Sequence, residues 1–409
     1  MGVDLVDLRL RVAALPGMDE LLPSLEGLAP TYLVGGAVRD LLRGQPSVDL
    51  DLAVEGDAEQ VARAVADRLG GTAVAHERFG TATVRIESLA LDLARTRRER
   101  YPAPGGLPEV EPAGLHEDLG RRDFTVNAMA IGLVEPEMGL LRDPLGGRGD
   151  LRSGTIRVLH ERSFLDDPTR LLRAVRYGAR LGFALDADTE RQAREAAEAN
   201  AFGPVSGPRI RDELMDLLGE PEAPAAVARM RDLGLANALH PALDADPDRV
   251  AGAVLGSADT GADPALAALA ALCAGAPREL EDFVRRLSLG GGRPEAVLRA
   301  ARRGPELAEA LRGDLRPSEL HALLASEPPE ALALALALGS PGEPVLRYLS
   351  DLRGARLEIT GYDLLSAGVP PSPALGRALQ ETLWRKLDGE LSGRDAELRT
   401  AIELARGPV

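Results

Sequence analysis

Short stretches in which apolar and polar positions alternate dominate the first hundred residues. Stretches of helical period dominate everything after about residue 150. TYLVGG (31–36) is apolar and ends in a glycine pair, the pattern of a strand running into a tight turn. VDLDLAV (48–54) alternates polar with apolar positions, as a half-buried strand does. DAEQVARAVADRLGG (57–71) opens on an aspartate cap, keeps helical spacing and stops at Gly70 and Gly71. TATVRI (81–86) and LALDLAR (89–95) predict two more strands, and the first thirty residues predict amphipathic helix and turn. YPAPGGLPEVEPAG (101–114) holds four prolines and three glycines and predicts a loop. Beyond Leu151 only RVLH (157–160) has strand character. The rest predicts helices, interrupted by Gly/Pro pieces near 203–208, 219–224, 256–264, 288–294 and 339–344. No fixed-period repeat is present. The predicted class is α+β, with a mixed head of about 150 residues and an extended helical remainder.

Composition narrows the setting. The 409 residues are 45% apolar and 27% charged, ordinary for a soluble globular chain of two to four domains. No apolar run approaches the ~20 residues that cross a bilayer. Acids precede the first base at the N-terminus, which makes a poor signal peptide, so the expected compartment is the cytoplasm. The single cysteine, Cys273, lies in ALAALCAGA and predicts core packing; it rules out an internal disulfide. Five scattered histidines argue against a histidine-based metal site.

The net charge of −16 by itself argues against a nucleic-acid partner, but patches decide such questions. Arg157 to Arg180 holds six arginines against three acids, and Arg95 to Arg100 holds four against one.

The chemistry-bearing residues begin at Gly35-Gly36. Glycines after a strand let backbone N–H groups approach phosphates. Arg39 and Asp40 follow. Asp49 and Asp51 stand two apart on one predicted strand, so their carboxylates share a face. Paired hard oxygens suit Mg²⁺, which usually keeps waters and substrate phosphates as its other ligands. Asp92, between Leu91 and Leu93, supplies a third carboxylate able to complete such a site. Arg122, Asp123 and Asn127 crowd polar groups beside an apolar stretch. A triphosphate or ribose explains them, with Arg122 the phosphate contact; a structural ion-pair cluster is the alternative. Asp167, Arg170, Arg173 and Arg176 follow a three-residue spacing that puts them on one helix face. A carboxylate beside a guanidinium matches the donor–acceptor edge shared by cytosine and adenine and mismatches uracil and guanine. Helix capping by Asp167-Pro168 is the competing reading, and the two can coexist.

These segments, in order, resemble the class II tRNA nucleotidyltransferases, the CCA-adding enzymes, and their bacterial poly(A) polymerase relatives. YLVGGAVRDLLRG with VDLDLAV is similar to the head motif. EDLGRRDFTVNAMAI (117–131), DPLGGRGDL (143–151), FLDDPTRLLRAVRYGARLGF (164–183) and GPRIRDEL (207–214) resemble four further motifs, and 361–390 resembles the C-terminal region of many bacterial members. The resemblance implies a small mixed-sheet catalytic head over 1–150 and a helical neck with the nucleotide-selecting helix over 151–218. A helical body over 219–350 and a tRNA-binding helical tail over 351–409 would follow.

The implied activity is template-independent addition of CCA to the 3′ end of tRNA from CTP and ATP, with pyrophosphate released. Asp49 and Asp51 would be the Mg²⁺ ligands, with Asp92 a third catalytic carboxylate. Gly35, Gly36, Arg39, Arg122, Asp123, Asn127, Asp167, Arg170, Arg173 and Arg176 would serve the nucleotide. The selecting motif begins with Asp166 where the family carries glutamate, which bears on the tuning between C and A. CC-adding, A-adding, poly(A)-adding and non-catalytic RNA-binding relatives remain alternatives. No membrane and no protein partner is implied.

Overall fold

The computed structural model describes residues 5–46, 50–76, 80–86 and 89–407. The chain divides into two compact units, residues 1–206 with 233–238, and residues 207–232 with 239–409.

The first unit is built on a seven-stranded mixed sheet. Two helices, α1 (Leu5–Ala13) and α2 (Met18–Ser24), precede β1 (Thr31–Val34), α3 (Gly36–Arg43), β2 (Asp51–Val54) and α4 (Ala58–Leu69). Then come β3 (Thr72–His76), β4 (Thr81–Ile86), β5 (Leu89–Arg95), the pair β6 (Arg97–Arg100) and β7 (Glu109–Pro112), and α5 (Leu115–Gly120). The sheet closes with β8 (Ala130–Gly132) and β9 (Leu141–Arg142), in the order β3-β4-β5-β2-β1-β8-β9. Only β2 and β5 pair in parallel; the other neighbours are antiparallel. α6 (Gly147–Ser153), β10 (Thr155–Ile156), α7 (Ser163–Asp166), α8 (Thr169–Leu181), β11 (Ala184–Leu185) and α9 (Ala187–Glu198) complete the unit.

Strand alternation decides which residues reach the site. Leu33, Leu52, Val54, Leu91, Leu93 and Ile131 face one side and are buried against Val12, Met18 and Leu21 of α1 and α2, Val38 of α3, and Val61 and Val65 of α4. Their neighbours Tyr32, Val34, Ala53 and Ala130 face the other side, where Leu115 and Leu119 of α5 and the half-buried Leu145 pack against them. By the same two-residue period Asp51 and Asp92 stand on this thinly covered face.

Two expectations are corrected. The segment 101–114 is not all loop: Glu109–Pro112 forms β7 and pairs in register with Arg97–Arg100. All four β7 residues are exposed, so no buried alternation marks them, and the prolines mask what the ladder and the Arg98–Glu111 ion pair hold. RVLH is not a strand; the two-residue β10 lies just before it, and Val158 contributes one isolated bridge to Phe124. The interruption expected near 256–264 is present: one helix runs Pro247–Thr260 and ends at Gly261 in the left-handed region, and the next starts at Pro264. The edge strand β3, alternately exposed and alanine-rich, escapes the pattern altogether.

The second unit is helical. Helix Pro264–Cys273 is buried from Ala265 onward, Cys273 included, and burial pushes that thiol up to about 12. Gly252 and Gly256, one turn apart on helix Pro247–Thr260, let it approach Pro329–Ala337 closely. A methyl at Gly252 would lie 2.8 Å from Ala337 Cα and one at Gly256 3.1 Å from Ala333 O. Near the C-terminus Ile359, Leu364, Val369 and Ala401 form a separate small core. Its buried Glu397 pairs with Lys386 at 2.6 Å and accepts from the Glu358 N–H. Among the described residues no helix is long and apolar enough to cross a membrane.

Candidate active site

The site is assembled where β1 ends. Gly35 adopts φ 69°, ψ −136°, a conformation closed to residues with a Cβ, and α3 starts at once with Gly36. A Cβ on Gly35 would sit 3.2 Å from Arg122 Nη1 and 3.8 Å from Asp51 Oδ2, so both groups border the turn. A Cβ on Gly36 would sit 3.4 Å from Arg39 Nη2. Gly35→Ala therefore is expected to destabilise the fold by about 1–3 kcal/mol. Gly36→Ala, with an allowed helical backbone and only a long side chain to displace, costs much less. Urea unfolding of the two variants side by side checks the difference.

Asp51 opens β2 and is the register partner of Asp92 on parallel β5. Both carboxylates are exposed, and Thr83 Oγ1 on β4 donates to Asp92 Oδ1 at 2.7 Å. Asp49 lies outside the described residues. Among the described residues no third histidine, cysteine, aspartate or glutamate joins this pair. A cavity of about 410 Å³ opens over the pair, lined also by Val34, Thr81, Asp118, Arg121 and Arg122.

The arginines of RRDFT are held by a buried carboxylate on α5. Asp118, 1% exposed, accepts from Arg121 at 2.8 Å and Arg122 at 3.0 Å. Burial alone would raise its carboxyl, but the two guanidinium groups outweigh it and hold it below the usual carboxylate range. The spacing i, i+3 and i, i+4 on α5 was the available signal. Arg121 also pairs with Glu99 on β6 at 2.8 Å, and Glu99 accepts from Tyr101 Oη at 3.1 Å. The hairpin strand is thereby tied to this arginine.

Asp123, Asn127 and Arg39, all buried, form one chain of hydrogen bonds with the half-buried Arg173. Arg39 donates from Nη1 to Asn127 Oδ1 (2.8 Å) and pairs with Asp40 (2.8 Å). Asn127 Nδ2 donates to Asp123 Oδ1 (3.1 Å), and Arg173 donates to Asp123 Oδ2 from Nε (2.9 Å) and Nη2 (2.7 Å). Burial opposes ionisation of Asp123, yet Arg173, Asn127 and the Phe124 N–H together keep its pKa below the ordinary value. Asp123 and Asn127 thus wire the arginines to each other.

The expected helix face is split. Arg170, Arg173 and Arg176 lie on α8, but Asp167 precedes it in extended backbone, φ −132°, ψ 93°. Pro168 takes the cap position, and Asp167 Oδ1 accepts from Thr169 N–H (3.1 Å) and Oγ1 (2.6 Å), so the capping-type bond is made. Arg170, 5% exposed, donates to Ser163 Oγ (2.8 Å) and to the Arg121 carbonyl (2.7 Å). A second cavity, about 460 Å³, brings Asp166 and Arg170 together with Arg98 to Tyr101, Arg121 and His160. Burial, then Arg170, lowers the His160 pKa.

The sequence matches two family descriptions, the poly A polymerase head domain over residues 31–157 and a probable RNA- and SrmB-binding site of polymerase A over 182–246. It is 36% identical to an A-adding tRNA nucleotidyltransferase of Geobacter sulfurreducens over 92% of this chain; the chain spans 45% of that relative's length. It is 37% identical to a CC-adding tRNA nucleotidyltransferase of Deinococcus radiodurans over 92% of this chain and 89% of that protein. A solved complex of a CCA-adding enzyme with CTP superposes with a TM-score of 0.82 at 30% identity, covering 98% of both chains. With the glycine turn, the paired carboxylate strands and the arginine helix all in place, the chain belongs to the tRNA nucleotidyltransferase family of enzymes.

Proposed function

We propose that this chain adds the nucleotides of the CCA end to tRNA in the cytoplasm, taking CTP and ATP and releasing pyrophosphate without a nucleic-acid template. The observation that carries the reading is the register pairing of Asp51 with Asp92 beside Gly35 and the Arg122 guanidinium. Exposed carboxylates on adjoining strands are hard oxygen donors and fit Mg²⁺. Asp51 and Asp49 would hold it, with Asp92 alongside. When bound, the ion lowers the pKa of the attacking 3′-hydroxyl and offsets charge on the leaving phosphates.

The remaining work belongs to the chain itself. The backbone at Gly35 and Gly36 leaves room for a triphosphate, and Arg122 and Arg39 supply positive charge at its border. Asp118, Asp123 and Asn127 fix those arginines, so little reorganisation is needed when the substrate arrives. Arg170 and Asp167 would read the base edge, with Arg173 and Arg176 orienting. The head would take residues 1–150 and the selecting helix 151–218. The helical body would take 219–350, and the helical tail of 351–409 would grip tRNA by shape and phosphates.

A second reading, addition of only part of the CCA end, is favoured by the A-adding and CC-adding names of relatives similar over nine tenths of this chain. One experiment tests both. A tRNA transcript lacking CCA is incubated with CTP alone, then with CTP and ATP, and the 3′ ends are sequenced. The expected ends are CC and then CCA. Ends that stop at CC with both nucleotides present make the chain CC-adding. Extension only of a transcript already ending in CC makes it A-adding. No extension of any transcript removes the proposal.

A further inference from the structure

Tyr177 on α8 is surrounded by guanidinium groups. The Cζ atoms of Arg39, Arg173 and Arg176 lie 5.6, 5.3 and 5.2 Å from its ring centroid. The three cations come from two elements: Arg39 from α3, just behind the glycine turn, and the others from α8. Two of them are nearly fully buried, Arg39 at 3% and Arg176 at 8% exposed. Phe124, fully buried, meets the same ring edge-on at 6.0 Å and fixes its plane. Arg173 Nη2 donates to the Tyr177 hydroxyl at 3.1 Å.

Like charges gathered this closely repel, and a low-dielectric surrounding strengthens the repulsion. Asp40 and Asp123 offset part of it. The ring quadrupole offers all three cations a common attractive surface. A tyrosine also keeps a polar handle that an aliphatic residue lacks. We infer that Tyr177 is a positioning residue: its ring gathers Arg39, Arg173 and Arg176 into one cationic cluster before the nucleotide arrives. The cluster adjoins Gly36, so its charge falls at the phosphate side of the site. A preorganised cluster stabilises a polyanion without paying reorganisation at binding. The inference rests on the nucleotide-binding reading above and assigns it a residue outside the set chosen from the sequence.

The test replaces Tyr177 in the full chain by Phe, by mono-, di- and trifluorinated phenylalanines, and by Leu. Fluorination keeps the ring's shape while draining its negative face. Calorimetry measures CTP and ATP binding, and steady-state assays separate KM from kcat. Tyr177→Phe should raise the nucleotide KM about twofold to threefold, through loss of the Arg173 hydrogen bond. Each added fluorine should raise it further, and Tyr177→Leu should reach roughly tenfold or more, with kcat changing less. Fluorinated variants that bind as Phe does would overturn the inference, even if the Leu variant failed to fold. A loss confined to kcat would overturn it as well. If the wild-type chain bound neither nucleotide, the underlying functional reading would fail instead, which separates the two.

Discussion

Asp51→Ala is expected to reduce nucleotide incorporation by about a thousandfold while leaving folding and tRNA affinity near the wild-type level. The size follows from what the carboxylate would do. A metal that stabilises developing charge contributes several kcal/mol to the transition state, and about 4 kcal/mol corresponds to three orders of magnitude in rate. The small effect on folding follows from position. Asp51 is the first residue of β2, exposed, with its backbone register to Asp92 and Leu52's burial independent of its side chain. Exposed substitutions of this kind usually stay within about 0.5 kcal/mol. Asp51→Asn keeps the volume and loses the charge, so it should fail to a similar degree. Single-turnover incorporation under Mg²⁺, with urea unfolding and tRNA gel shift on the same preparations, checks the prediction. Near-normal turnover in either variant would remove Asp51 from the metal site. Asp92→Ala removes the acceptor of the Thr83 hydroxyl as well as a carboxylate, so its loss also frees that hydroxyl.

The parts of this site legible in the sequence are those written in short local patterns. Gly35-Gly36 after an apolar run marks a turn that only glycine enters, and alternation along LDLA and LALDL places Asp51 and Asp92 on the thinly covered face of the sheet. The strand neighbours could not be read that way. That β2 lies beside β5 in parallel is a matter of topology, and four residues of strand carry no record of their partner. The arginines of α8 show as a helical row, but their destinations do not. Arg173 crosses to Asp123 fifty residues earlier, and Arg170 reaches the Arg121 carbonyl, a backbone atom that no side-chain pattern reveals. Asp167 was misplaced for a definite reason. The following proline disfavours helical backbone at the residue before it, and that residue is indeed extended. β7 was hidden among prolines and charges, because a hairpin held by its ladder and ion pairs leaves no hydrophobic period.

Arg170→Ala is expected to weaken rejection of UTP and GTP by about ten- to a hundredfold. A hydrogen bond from a charged group is worth roughly 1.5–3 kcal/mol, and discrimination is lost when the group that a wrong base would leave unpaired is itself removed. The surroundings of Arg170 add a complication that the measurement must absorb. Its guanidinium is 5% exposed and donates to Ser163 Oγ and to the Arg121 carbonyl, so its removal orphans two acceptors and lowers stability by about 1–3 kcal/mol. A fall in total activity therefore says little about base choice. The ratio of kcat/KM for UTP to that for CTP, taken within one preparation, cancels the fraction of active enzyme and isolates selection. Ser163→Ala supplies the control, since it removes one anchor of the guanidinium and keeps the guanidinium itself. Its ratio should shift by less than that of Arg170→Ala, in the same direction. If the ratio stays at the wild-type value in Arg170→Ala while stability drops, Arg170 is a strut between α7, α8 and the RRDFT loop. Base reading then belongs to another group in the cavity between Arg98 and Arg170.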